Sequence, residues 1–144
     1  MKARFIIALL AVATLCASAI AQENTAEDWY KKGLELSKKG SHEEAVRAYD
    51  KAIEIDPQNA TLWLAKGQGL RSMAYGFSGQ ERTTIEEAAI KAYDKAIKID
   101  PNYSDAWGSK GYILLQIASR NKTVNMDVCN ESLYSFDKAL ELNP

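Results

Sequence analysis

The 144-residue sequence predicts an all-α fold made of three stacked pairs of helices. Every tryptophan is followed four residues later by a glycine, as in Trp29 and Gly33, Trp63 and Gly67, and Trp107 and Gly111. Every proline lies eight residues after an aromatic residue, as in Tyr49 and Pro57, Tyr93 and Pro101, and Phe136 and Pro144. The segments between them read DKAIEIDP, DKAIKIDP and DKALELNP. Because each of these rare residues recurs at an equivalent position, the chain contains three copies of an internal repeat.

Each copy divides into two stretches with helical periodicity. In the first copy, Trp29, Gly33 and Leu36 share one helical face, and Ala45 and Tyr49 belong to the apolar stripe of a second helix. The small residues Gly33 and Ala45 predict a close crossing of the two helices. Proline disfavours the helical conformation of the residue before it, so it ends each second helix. One pair cannot bury its own apolar face, and stacked neighbours are expected to supply the core.

The first copy spans residues 26–59 and carries Trp, Gly, Ala, Tyr, Ala and Pro in that order. This succession resembles the signature of the tetratricopeptide-repeat (TPR) family. The sequences of its motifs, such as KAIEIDP, resemble those of prokaryotic, in particular archaeal, members. The resemblance implies a right-handed superhelix of three helix-turn-helix repeats with a concave inner surface. The second and third repeats are predicted at residues 60–103 and 104–144.

The spacing between tryptophan and the next aromatic marker is 20 residues in the first copy, but 30 and 29 in the others. We therefore expect enlarged loops inside the second and third repeats, at about residues 74–83 and 120–129. The pattern Thr84-x-x-Glu87 predicts that helix resumes near Ile85.

Two interpretations of these loops are open. Loops at helix turns tolerate extra length at little cost. Alternatively, the two long turns form a second contact surface, with Tyr75 and Phe77 as its apolar anchors.

Residues 1–21 have the layout of a secretory signal peptide: a basic start, an uncharged apolar run from Phe5 to Ala17, and an Ala-x-Ala site before Gln22. A short linker, residues 22–25, would follow. The prediction is export to the envelope or the exterior, and the alternative is an uncleaved membrane anchor. Residues 1–21 contain two of the 18 basic residues and none of the 19 acidic ones, so the remainder has a formal net charge of −3. This charge does not favour nucleic acid as a partner.

Few residues could support chemistry. His42 is the single histidine, and Cys129 is the single cysteine outside the predicted signal peptide. No metal-ligand cluster or catalytic constellation follows from these residues, so the sequence predicts neither a cofactor nor an enzyme. Four candidate glycan acceptors, of which Asn121 ranks first, are Asn59, Asn102, Asn121 and Asn130.

The TPR resemblance implies that the inner wall comes from the first helix of each repeat. The predicted peptide-contacting residues are Tyr30, Leu34, Lys38, Leu64, Gln68, Arg71, Tyr112, Leu115 and Gln116. Members that bind chaperone tails hold a terminal carboxylate with Lys, Asn and Arg. Those slots here hold Tyr30, Leu34, Ala65, Asp105 and Ser109, so that specificity is not expected. The tryptophans are predicted to be core residues.

The last helix is expected to leave part of its apolar face, which includes Leu133, Phe136, Leu140 and Leu142, without a neighbour. Either the chain is a fragment of a longer array, or this face pairs with another molecule, including a second copy of the chain.

Overall fold

The computed structural model describes residues 25–120 and 125–143, and in these residues it contains helices and no strand. The helices are α1 Ala26–Lys38, α2 His42–Ile55, α3 Ala60–Ala74, α4 Gly79–Ile99, α5 Ser104–Arg120 and α6 Met126–Leu142. Each helix packs against its neighbours in sequence, and α3 also contacts α5. This row of helical pairs confirms the predicted all-α superhelix. The predicted signal peptide, residues 1–21, lies outside the described residues.

None of the six described helices combines the length and the apolarity needed to cross a bilayer.

Within each pair, the marker glycine meets the marker aromatic ring. A Cβ on Gly33 would lie 2.6 Å from Tyr49 Cδ1, and one on Gly67 would lie 2.5 Å from Tyr93 Cε1. Both rings are buried, so the glycines leave the space that each ring fills. The predicted close crossing is confirmed. The ring of the aromatic residue eight positions before proline is the group that needs a glycine on the facing helix.

The tryptophans link neighbouring pairs through hydrogen bonds. Trp63 Nε1 donates to the carbonyl oxygen of Pro57 at 2.9 Å, and Trp107 Nε1 donates to that of Pro101 at 2.9 Å. These bonds fasten the turn between pairs to the next helix, and they explain why tryptophan and proline recur together. All three indoles are half-buried. Trp29 and Trp63 pack against the core clusters, in agreement with the prediction that the tryptophans are core residues, while part of each indole stays accessible.

The enlarged loop predicted in the second repeat is absent from the described structure. Helix α3 extends to Ala74 and α4 begins at Gly79, so only residues 75–78 connect them. Thr84 lies inside α4, where its hydroxyl donates to the carbonyl oxygen of Gln80 at 3.0 Å. The predicted restart near Ile85 is therefore wrong. Extending an existing helix gains about one backbone hydrogen bond per residue without a new nucleation step, and the inserted residues have become helix.

The third repeat accommodates much of its insertion in the same way. Helix α5 continues to Arg120, and α6 begins at Met126, which lies inside the predicted loop. The side chain of Asn125 caps α6 by accepting from the backbone N–H of Asp127 at 3.0 Å. The predicted loop over residues 120–129 is thus helical from Met126 onward, and residues 121–124 lie outside the described part.

The apolar face of α6 is partly open, as the sequence predicts. Leu133 and Leu140 are 62% and 63% exposed. Counted back from the prolines, they correspond to Val46 and Ile53 of α2, which are 9% and 8% exposed because α3 covers them.

Candidate functional site

Helices α3, α5 and α6 border a groove of about 560 Å³. The side chains that line it include Gln68, Arg71, Asp105, Tyr112, Leu140 and Asn143. Its walls are predominantly polar, with the aromatic ring of Tyr112 and the side chain of Leu140 as apolar parts. Gln68, Arg71 and Tyr112 were predicted contact residues, and the structure brings them together.

The groove is organised by a contact between α3 and α5. The guanidinium carbon of Arg71 lies 4.9 Å from the centre of the Tyr112 ring, which is within cation–π range. Arg71 is half-buried, and its Nε is buried without a hydrogen-bond partner among the described residues. Tyr112 is 43% exposed, so its ring stays accessible beside the cation. Together, these two side chains offer an aromatic surface next to a positive charge.

Tyr75 is tied to the same helix. Gln116 Nε2 donates to the Tyr75 hydroxyl at 2.6 Å, and the Arg82 guanidinium lies 5.5 Å from the Tyr75 ring centre. Tyr75 thus joins the end of α3 to α5. It remains 55% exposed, and Phe77 is 39% exposed, so both are accessible as the sequence-based contact hypothesis requires.

Other predicted wall residues lie elsewhere. Leu64 is 6% exposed and belongs to the core, so its assignment to the binding surface is wrong. Tyr30 and Leu34 are half-buried against the core, and burial raises the pKa of Tyr30. Lys38 and Leu115 are exposed, but neither lines the groove that the described residues form.

Sequence reasoning missed the contribution of α6. Ala139, Leu140 and Asn143 line the groove, although the slots inferred from the TPR resemblance lie on first helices alone. The available signal was the expected open face of α6, because a helix without a covering neighbour exposes residues toward the adjacent groove.

The buried polar groups have structural roles. Burial raises the pKa of Tyr93 to about 12, which keeps the phenol protonated at neutral pH. Glu86 is 2% exposed, and its carboxylate accepts hydrogen bonds from Arg82 and Arg120. Burial opposes ionisation of Glu86, but the bonds from Arg120 and Arg82 outweigh it and lower the pKa. Neither group lines the groove.

The described residues contain no cluster of three or more His, Cys, Asp or Glu side chains suited to a metal. His42 is the first residue of α2 and Cys129 is half-buried in α6. Among the candidate glycan acceptors, Asn102 and Asn130 are exposed. Asn59 is half-buried and caps α3, with its Nδ2 donating to Asp56 at 3.1 Å. Asn121 lies outside the described residues.

Two family models match the sequence. One, described as TPR repeat, matches residues 33–68, and another, described as Tetratricopeptide repeat, matches residues 92–124. An uncharacterized protein of Methanocaldococcus jannaschii, MJ0572, is 44% identical over 46 residues, which are 32% of this chain and 54% of that protein. The match thus spans about half of the length of that curated relative.

Several solved structures share the fold. The second TPR of Spaghetti (RPAP3) bound to the HSP90 peptide SRMEEVD has a TM-score of 0.64 at 22% identity, over 84% of this chain and 94% of that chain. MamA has a TM-score of 0.67 at 24% identity, over 85% of this chain and 61% of that chain. The Arabidopsis OM64 TPR domain has a TM-score of 0.66 at 21% identity, over 83% of each chain. At these identities, the likeness establishes the fold.

Proposed function

Because the chain belongs to the tetratricopeptide-repeat family, we propose that it is a scaffold that binds a protein or peptide in the groove between α3, α5 and α6. The observation that carries this proposal is the Arg71–Tyr112 contact at 4.9 Å, which presents a cation and an exposed ring in one groove. The peptide in the RPAP3 structure supports a peptide as the type of partner. In accordance with the scaffold function, we also propose that the chain is not an enzyme.

The lining favours an extended peptide with polar and aromatic side chains. Arg71 can meet a carboxylate or a carbonyl oxygen, Gln68 can bond the peptide backbone, and Tyr112 can pack against an apolar or aromatic residue. Asp105 adds a negative charge at the same groove, so a peptide with several carboxylates would meet repulsion there. A terminal acidic tail is therefore not the proposed ligand.

Substitution of Tyr112 by alanine is expected to weaken peptide binding by about tenfold or more, since an aromatic anchor contributes on the order of 1.4 kcal/mol or more. Peptides would be selected from a displayed random library on the wild-type chain and their dissociation constants measured by calorimetry on each variant. Phe77→Ala, at an exposed aromatic outside the groove, is the matched control. Equal affinities for wild type and Tyr112→Ala would reject the groove. Loss with Phe77→Ala instead would favour a surface at the α3–α4 connection.

A second candidate function is self-association through α6. Its exposed residues Leu133 and Leu140 occupy positions that are covered elsewhere in the stack. Head-to-tail stacking would place α1 of another copy over them. Within the chain, α3 covers α2 with small and apolar residues, which include Leu62, Ala65 and Gly69. The equivalent positions of α1 hold the charged residues Asp28, Lys31 and Glu35. Covering leucines with these charges is costly, so the contact would be a two-fold pairing of α6 with α6.

Leu133→Glu is expected to convert a wild-type dimer to a monomer, because a charge would enter the apolar contact. Sedimentation equilibrium measures the mass, and Lys31→Glu on the opposite end is the control that leaves the dimer intact. A wild-type chain that remains monomeric would reject self-association. It would leave the longer-array interpretation, in which a further repeat covers α6.

We also propose that the protein acts outside the cytoplasm, in accordance with the predicted signal peptide of residues 1–21. Mass spectrometry of the protein from its native envelope or culture fluid should find an N-terminus at Gln22. An intact residue 1–21 segment in a membrane fraction would instead support an uncleaved anchor.

A further inference from the structure

Each helical pair has a second surface feature, a tryptophan placed between its two helices. In the second pair, Trp63 and Lys66 of α3 and Ala88, Lys91, Lys95 and Lys98 of α4 line a cleft of about 480 Å³, here named the Trp63 cleft. Trp63 and Gln68 are five residues apart, which places them about 140° apart around α3. The Trp63 cleft therefore opens on a different surface from the groove, and it shares none of the groove's lining residues.

The third pair shows what fills such a cleft. The ring of Tyr134 lies 5.7 Å from Trp107, centre to centre, at an interplanar angle of 82°, which is an edge-to-face contact. Tyr134 lies ten residues before Pro144, as Lys91 lies ten before Pro101 and Arg47 ten before Pro57. The chain thus covers its third tryptophan with its own tyrosine and places a basic residue at the same position in the other two pairs.

The charges around the Trp63 cleft indicate the sign of an occupant. Lys91, Lys95 and Lys98 are exposed, and none of them forms an ion pair with a described residue. The carboxylate of Asp94 at the same cleft is paired with Lys110 at 2.7 Å. The cleft therefore combines an apolar floor with three ammonium groups that form no ion pair in the part of the chain described, since the one carboxylate among its lining residues, that of Asp94, is engaged by Lys110.

The first pair has a related cleft of about 480 Å³ at Trp29, but two of its three basic groups are already paired with acidic residues, and the third, Lys32, lies 4.7 Å from the centre of the Trp29 ring. Arg47 lies 3.2 Å from Glu43, and Lys51 lies 2.8 Å from Glu54. The first cleft has about the same volume but fewer unpaired basic groups, so it is a natural comparison within one molecule.

We propose that the Trp63 cleft is a docking site for an acidic peptide segment that carries an aromatic side chain. The ring enters the cleft edge-on to Trp63, as Tyr134 does at Trp107, and flanking carboxylates meet Lys91, Lys95 and Lys98. This site acts independently of the groove at Arg71 and Tyr112, so a partner can engage both surfaces or either one.

The three indole N–H resonances in a two-dimensional ¹H–¹⁵N NMR spectrum test the proposal on the full chain. The probe is the pentapeptide EEYEE, with EEAEE and KKYKK as controls. EEYEE is expected to shift the Trp63 resonance saturably and to leave that of Trp107, which Tyr134 covers, in place. EEAEE should bind about tenfold more weakly, because it lacks the ring that provides an edge-to-face contact and apolar burial. KKYKK should not bind.

Two reciprocal variants sharpen the test. Lys91→Tyr gives the second pair the side chain that fills the third, and it is expected to abolish the Trp63 response. Tyr134→Lys combined with Glu141→Lys uncovers Trp107 and removes the acidic partner of Lys138, so Trp107 should then respond to EEYEE. All three positions are exposed, and thermal melts verify that the variants fold. The proposal is overturned if all three indoles shift together, if Lys91→Tyr leaves binding unchanged, or if EEAEE binds as well as EEYEE. It is also overturned if a five-residue oligothymidylate shifts Trp63 and EEYEE does not, since the cleft would then bind a nucleic acid.

Discussion

Gly67→Ala is expected to destabilise the protein by about 2 to 3 kcal/mol, although alanine is the better helix former. In an exposed helix interior, the same change would stabilise by about 1 kcal/mol. Here the new Cβ would lie 2.5 Å from Tyr93 Cε1 and 2.7 Å from Cδ1, closer than carbon atoms approach. Tyr93 is fully buried within the largest core cluster, so its ring can move only by displacing other core side chains. Overpacking of this kind costs about 1 to 3 kcal/mol and sometimes more, which exceeds the helical gain.

Urea unfolding monitored by circular dichroism measures this loss of unfolding free energy. In a separate thermal unfolding experiment, the melting temperature is expected to fall by about 10 °C. Gly111→Ala is the matched control, because its Cβ would lie 3.1 Å from Phe136 Cγ and that ring is half-buried at the open end. We expect this control to change stability by less than about 1 kcal/mol. A further variant combines Gly67→Ala with Tyr93→Leu, and the double loss should be smaller than the sum of the single losses. Equal losses for the two glycines, or strict additivity in the double variant, would contradict the packing explanation.

The same contact explains how much of the fold is readable from the sequence. Trp, Gly, the aromatic residue and Pro recur because each one contacts a part of its own pair or of the adjoining turn. Gly33 and Tyr49 lie 16 residues apart in the chain but touch in space, and their repeated spacing predicts the pair without coordinates. The helix count and the stacking order follow from such markers.

What the sequence did not predict depends on residues without a repeated pattern. The inserted segment around Gly79 contains a glycine and several polar residues, which are equally typical of a loop and of an exposed helical extension. In the structure this segment is the start of α4, where Arg82 donates to Glu86, and Glu86 in turn contacts Arg120, 34 residues away in sequence. The equivalent positions in the other two repeats hold His42 and Cys129, so the repeat pattern does not predict this contact.

The sequence predicted only some of the residues that line the candidate groove. The slots inferred from the TPR resemblance placed Gln68, Arg71 and Tyr112 on a common surface because first helices lie side by side in the stack. They also assigned Leu64 to that surface, whereas the side chain is buried in the core. A slot defines a direction around a helix, but the neighbouring helices decide whether that direction ends in solvent or in protein.

The Glu86 cluster gives the second large expected effect. Glu86 Oε1 accepts from Arg82 Nε at 2.9 Å and from Arg120 Nη1 at 2.7 Å, and Arg120 Nη2 also donates to Oε2. The cluster fastens the first turns of α4 to the last turn of α5, the helix that carries Tyr112. Glu86→Gln retains the shape of the side chain but leaves two guanidinium groups without an anion. Breaking a buried ion pair costs about 3 to 5 kcal/mol, and we expect about 3 kcal/mol at pH 7 because both arginines are partly exposed.

The pH dependence distinguishes this ionic effect from a packing effect. Because the pKa of Glu86 is lowered in the folded protein from its ordinary value of 4.5, the folded state binds fewer protons there than the unfolded state. The stabilisation by the carboxylate is therefore complete above that ordinary value and is lost as the pH falls through the folded pKa. Glutamine does not titrate, so the difference in unfolding free energy between wild type and Glu86→Gln should be largest near neutrality and shrink in acid.

Urea unfolding of both proteins at several pH values from neutral to acidic measures this difference. Glu87→Gln, at the neighbouring exposed carboxylate, is the control and should change stability by less than about 0.5 kcal/mol at every pH. A loss in Glu86→Gln that is the same at neutral and acidic pH would mean that shape, and not charge, holds α4 to α5. If the ionic explanation holds, the extension of α4 fixes the end of α5 electrostatically, and acid should loosen the α5 wall of the groove before it disrupts the Gly67–Tyr93 contact.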